Sequence, residues 1–166
     1  MKPTKHATTN YRMIQPFLAA TDASPERARR FLSGGYMPLV VEYLGYTFHG
    51  GKVYSVTHYG EQNGDAMRDP DMTISVDHKA GTVDPLTFQN DYMGLYQEVY
   101  LTGDDGRERY RPGLRTELDG FLWQWLKNIA EQGFSPDVYQ PDETDEDDET
   151  PAAAPAPDWM QYALFA

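Results

Sequence analysis

The clearest pattern of apolar and polar positions lies in LRTELDGFLWQWLKNIAEQG, residues 114–133. Leu114, Leu118, Leu122, Trp125 and Ile129 recur there at spacings of four, four, three and four. That spacing draws one continuous stripe along an α-helix. Phe121 and Leu126 widen the stripe, and Gly133 is placed to end the helix. Gly120 in mid-helix costs roughly 1 kcal/mol against alanine, which predicts a close packing contact at that point. Trp123 lies off the stripe, so it is either covered by an amino-terminal helix or exposed for contact.

Upstream the period changes. MTISVD alternates, with Met72, Ile74 and Val76 inward and Thr73, Ser75 and Asp77 outward. YMPLVVEYLGY is rich in β-branched and aromatic residues, and Gly50-Gly51 separates it from KVYSVTHYG, which predicts a hairpin. GTVDPLTFQN reads as a broken strand, GLYQEVYL as a last strand, and TGDDGRERYRPG as a polar loop. At the amino terminus TNYRMIQPFLAA predicts a helix that Pro16 kinks or delays. Ser24, Pro25 and Glu26 then read as N-cap, first-turn proline and first-turn acid of a second helix through RARRFL, stopping at Gly34-Gly35. The expected fold is α+β. An antiparallel sheet of four to five strands carries amino-terminal helices and one long carboxy-terminal helix, all within residues 1–136.

Charge divides the chain. Of 26 acidic residues, nine fall from Asp137 onward, where there is no Lys or Arg; the first 136 residues then hold 17 acids against 14 bases, a balance of −3. Residues 137–157 form an acidic and Pro/Ala-rich linker, with Asp145, Glu146, Asp147, Asp148 and Glu149 in one run. Such a composition cannot bury enough apolar surface to order itself, which predicts a disordered acidic tail. Residues 158–166, DWMQYALFA, end it with the apolar side chains Trp159, Met160, Tyr162, Leu164 and Phe165. This is the layout of a tethered docking motif, and docking on the chain's own body is the alternative. The absence of cysteine excludes disulfides and thiolate zinc sites. No apolar run reaches membrane-spanning length and no secretory leader is evident, so the expected address is cytoplasmic. No basic groove is evident and RERYR at 107–111 is a small basic patch beside a tyrosine, so direct nucleic-acid binding is not expected.

The densest chemistry lies in HYGEQNGDAMRDPDM, residues 58–72. His58, Glu61, Asp65, Asp69 and Asp71 could supply imidazole and carboxylate ligands to a divalent metal, or a histidine oriented by a carboxylate. The order is not that of an EF-hand or of HExxH, and the chain holds no G-x-S-x-G, phosphate loop or dinucleotide fingerprint. Structure alone accounts for the same residues: Asn63-Gly64 closes a tight turn, Asp65 and Asp69 bond loop amides, and Pro70 holds Asp69 extended. On that reading His58 is a hydrogen-bonded histidine at the core margin, and neither metal nor cofactor is bound.

HYGEQNGD, DPDM, DYMGLYQEVY, FLWQWLKN and EQGF together resemble an uncharacterised family of unknown function. Its members are typically found on bacterial plasmids, conjugative elements and phages. The resemblance covers roughly residues 36 to 134 and implies a small α+β domain linked to mobile elements. A weaker likeness, in strand order and the closing Phe-Leu-x-x-Trp-Leu helix, is to another uncharacterised family of small bacterial proteins. Neither transfers a catalytic residue. The expected function is a non-enzymatic accessory protein of a mobile element that binds a host or element-encoded protein. In one version it is an anti-defence inhibitor whose acidic tail docks or imitates nucleic acid. The alternative is a small metal-dependent hydrolase centred on His58, Glu61, Asp65 and Asp69.

Overall fold

A computed structural model describes residues 1–141 of the chain. Helix α1 (Ala7–Asp22) is a single helix that continues through Pro16. Proline in a helix interior costs about 3 kcal/mol. Ile14, Phe17 and Leu18 are buried on its inner face, each worth roughly 1.5–3 kcal/mol, which outweighs that cost. Asp119 secures its start, accepting hydrogen bonds from Thr4 Oγ1 at 2.6 Å and the His6 amide at 3.0 Å. The second expected helix does not form. Arg27 takes a left-handed φ of 55°, and β1 (Ala28–Phe31) follows as a strand. Its side chains alternate and Phe31 is fully buried, so packing overrides the capping signal at Ser24.

Strands β2 (Leu39–Phe48), β3 (Gly51–Gln62), β4 (Asp65–Asp77), β5 (Thr82–Asn90) and β6 (Leu95–Glu98) complete a six-stranded antiparallel meander in the order β1-β2-β3-β4-β5-β6. That exceeds the four to five strands expected. Residues 58–72 are not a loop: all but the turn Asn63-Gly64 belong to β3 and β4, and φ values of 53° and 84° are those of a two-residue hairpin turn. The strand expected over GLYQEVYL is divided at Val99, which is fully buried. Beyond it β7 (Tyr100–Thr102) pairs with β8 (Glu108–Tyr110), so the expected polar loop is a ribbon. β5 is continuous; a bulge opposite Thr73 and Ile74 sets Leu86 out of register and admits Pro85 to the sheet.

Helix α2 (Pro112–Glu131) buries Leu118, Leu122, Trp125, Leu126 and Ile129. Gly120 has no close neighbour, contrary to the packing contact expected there. Trp123 is covered by His6, whose ring stacks on it at 4.6 Å between centroids. Both helices pack on one sheet face, in a single cluster with Phe31, Leu39, Val41, Tyr54, Val56, Met72, Ile74 and Val76. The ordered body also runs past residue 136. Val138 O accepts the Leu32 amide at 3.1 Å, the Gln140 amide donates to Arg30 O at 2.9 Å, and Tyr139 bridges Phe31.

Candidate functional site

The sequence-predicted site residues are dispersed. His58 faces the core, 7% exposed, with its ring 5.5 Å from that of Trp125 and 5.7 Å from that of Phe134. Its Nδ1 lies 3.1 Å from Met37 O and 3.2 Å from Pro38 O, so Nδ1 carries the proton. Burial lowers its pKa, and the two carbonyls partly offset that. Glu61 and Asp65 are exposed beside the Asn63-Gly64 turn. Asp69 Oδ1 accepts a 2.6 Å bond from Asn90 Nδ2, and Pro70 lines a small hollow with His58 and Trp125. Among the described residues no group of three or more His, Asp or Glu side chains is placed to hold a metal ion. Of the five, only Asp71 belongs to a polar cluster, and it lies on the other face of the sheet. Asp145–Glu149 and the segment from Trp159 to Phe165 lie outside the described residues.

Strand alternation builds that other face. Cross-strand partners share a face, and the register gives the row Arg30, Val40, Thr57, Asp71, Gln89, Tyr96. Two residues along lies a second row, Ala28, Glu42, Ser55, Thr73, Thr87, Glu98. Thr57 Oγ1 donates to Asp71 Oδ1 at 2.9 Å, and the hydroxyls of Thr73 and Thr87 meet at 2.6 Å. Arg68 closes one side, its Nε donating to Asp91 Oδ2 at 2.9 Å and its amide to the same oxygen at 2.8 Å. Glu42 interrupts the apolar run LVVEYLGY, and its Oε2 is buried without a hydrogen-bond partner.

Electrostatics single out the two carboxyls. Burial pushes Glu42 up to about 7, and the Asp71 charge adds to the rise. Burial likewise raises Asp71 to about 6, against the Thr57 hydrogen bond and Arg68. Burial also raises the Tyr59 phenol between them and Arg68. At Asp91 burial opposes ionisation, but the bonds from Arg68 outweigh it and hold the carboxyl below its usual range. Near neutral pH Glu42 is poised to donate or accept a hydrogen bond. The rings of Tyr46 and Tyr96 are exposed near this cluster. A cleft of about 490 Å³, lined by Arg30, Met37, Tyr59, Gly60 and Glu61, adjoins it.

A second hollow, of about 440 Å³, lies against Met1, His49, Asp84, Tyr100 and Arg115. There His49 Nε2 meets Glu108 at 2.8 Å, while Asp84 accepts from the Tyr100 hydroxyl and, at 2.7 Å, from Arg115 Nε. These bonds tie the β7–β8 ribbon and α2 to the sheet. Sequence reading missed the Glu42 cluster because its members come from β2, β3, β4 and the Asn90–Gly94 turn. The one signal was a glutamate alone in an apolar strand.

Against known proteins, the profile of the family described as "Domain of unknown function (DUF6908)" matches residues 12–135. No curated protein and no solved structure matches the chain. Among the described residues no helix is long and apolar enough to cross a membrane.

Proposed function

The chain belongs to this family, DUF6908, and from that premise we propose that it is a non-enzymatic binding protein whose residues 142–166 dock a protein partner. One observation carries the reading. The last described residues are fixed to the body, because Val138 and Gln140 are hydrogen-bonded to Leu32 and Arg30 and Tyr139 is held by Phe31 and by Arg29, whose guanidinium lies 3.7 Å over its ring. That fixed end, an acidic run at 145–149 and an apolar peptide at 158–166 make a tethered docking element on an ordered platform. The setting in which we place it, an accessory protein of a mobile genetic element that blocks a host defence factor, rests on the plasmid and phage resemblance and on the acidic run. That run would engage a basic groove and release it as salt rises.

Capture from a host lysate tests the reading, comparing the full chain with one ending at Pro141. The expected result is a partner recovered with the full chain and lost with the shortened one. A partner recovered equally by both would place binding on the body and overturn the assignment.

A further inference from the structure

A hollow of about 240 Å³ lies between the sheet and α2, lined by His58 and Pro70 from the sheet and by Phe121, Gln124, Trp125 and Asn128 from the helix. Two of its rings hold hydrogen-bonding atoms that the fold leaves unused. Trp125 is 6% exposed, and its Nε1 is a buried N–H donor without a partner. His58 is 7% exposed and directs its Nδ1 proton at the carbonyls of Met37 and Pro38, which leaves Nε2 an acceptor. Burial lowers the pKa of His58 and so keeps that nitrogen unprotonated near neutral pH. Buried polar groups almost always find partners, and here the fold supplies none to the indole. We propose that this hollow binds a small, uncharged ring containing a cyclic amide, whose C=O accepts from Trp125 Nε1 while its neighbouring N–H donates to His58 Nε2. The inference goes beyond the docking reading and does not depend on it.

The walls select that class of ligand. At about 240 Å³ the hollow is smaller than the roughly 300–1,000 Å³ of sites for drug-sized ligands, which fits a single ring. No Asp, Glu, Lys or Arg lines it, so a charged ligand would give up its hydration and meet no opposite charge. Trp125, Phe121 and Pro70 offer apolar faces to a planar ligand. The Phe121 ring is 39% exposed and its centroid lies 6.2 Å from that of Trp125. Donor and acceptor sit on rings whose centroids are 5.5 Å apart, close enough for one amide edge to meet both. An open-chain carboxamide would satisfy the same two atoms but leave the aromatic walls uncovered. Gln124 Nε2 donates to Asn128 Oδ1 at 3.0 Å, which leaves Gln124 Oε1 and Asn128 Nδ2 at the rim for a second polar group on the ring.

Titration of the isotope-labelled, full-length protein with uracil, followed by NMR at the Trp125 indole N–H and the His58 ring nitrogens, tests the assignment. The expected result is a saturable downfield shift of the Trp125 indole proton together with a change at His58 Nε2. Uracil methylated on both ring nitrogens keeps the carbonyls but lacks the N–H groups, and should bind about tenfold more weakly, the share of one hydrogen bond. Gln124→Trp, at an exposed position of α2, fills the hollow from its rim and should abolish the shift at an unchanged melting temperature. Uridine run in parallel tells a nucleoside from a free base as the source, and binding by either sustains the cyclic amide. No shift at Trp125 with uracil or uridine would overturn the assignment, as would equal binding of uracil and its dimethyl derivative. Binding of oligouridylate alone would also overturn it, since that marks a nucleic-acid surface and not a small-ligand site. A failed titration leaves the partner-docking reading standing, and a failed capture leaves this site intact.

Discussion

Glu42 and Asp71 are 29 positions apart in sequence, yet the β2–β3–β4 register places them in adjacent rows of one face, both close to Tyr59. Their titration has a definite sign. An unfolded glutamate releases its proton near 4.5, whereas Glu42 in the fold holds it to about 7. Between those values the folded state alone binds the proton, so stability falls as pH rises through the window and stays lowered above it. Glu42→Gln removes that loss. Denaturation midpoints should show the variant more stable than the parent by about 1–2 kcal/mol at pH 8, the partial solvation of the side chain limiting the gain, with no difference at pH 4. Asp119 makes the opposite case. It is 1% exposed and holds Thr4, the His6 amide and Asn10 together. Asp119→Ala leaves those donors buried and should lower stability by about 2–3 kcal/mol in urea unfolding, with α1 the first element to lose hydrogen-exchange protection. Residue type was legible for His58, Glu61 and Asp69, but convergence was not. Neighbours in sequence on a strand point to opposite faces, and the register break between Thr57 and Tyr59 shifts which they are.

At the scale of elements, periodicity located α2, the β2–β3 hairpin and the second half of β4, because their stripes and turns are local signals; the first half of β4, Asp65 to Asp71, read as loop because its acidic residues and Pro70 hide the alternation. It failed at β1, where a good capping sequence was overridden by burial of Phe31 against Phe17 and Tyr139. It failed again at β7–β8, since an exposed two-stranded ribbon carries little hydrophobic alternation. The β3–β4 turn supplies a test: Gly64 holds a φ of 84° with open space around it, so Gly64→Ala meets only backbone strain and should cost about 1 kcal/mol in thermal unfolding. The outer edge of β1 supplies another. Ending the chain at Ser135 removes the bonds to Leu32 and Arg30 and the ring packing at Phe31, whereas ending it at Pro141 keeps them. Two hydrogen bonds and one aromatic contact, about 2 kcal/mol in all, predict a melting temperature several degrees lower for the shorter chain than for the one ending at Pro141.

For the whole molecule the division of charge governs behaviour. Residues 1–141 hold 18 acids against 14 bases, a balance of −4 that gives the body little long-range field, while the eight acids after Pro141, with no Lys or Arg among them, concentrate negative charge in that segment. Sequence made that division plain, since composition alone decides it. On the proposed function it is the segment after Pro141, not the sheet or the hairpin turn, that engages the partner. The most direct measurement is partner recovery by two full-length variants against the parent at low and high salt. One carries Trp159→Ala and Phe165→Ala; the other has residues 145–149 changed to Asn and Gln. We expect loss of the partner with the first, and with the second a weaker recovery that no longer depends on salt. Undiminished, equally salt-dependent recovery by both would contradict it and move binding to the folded body.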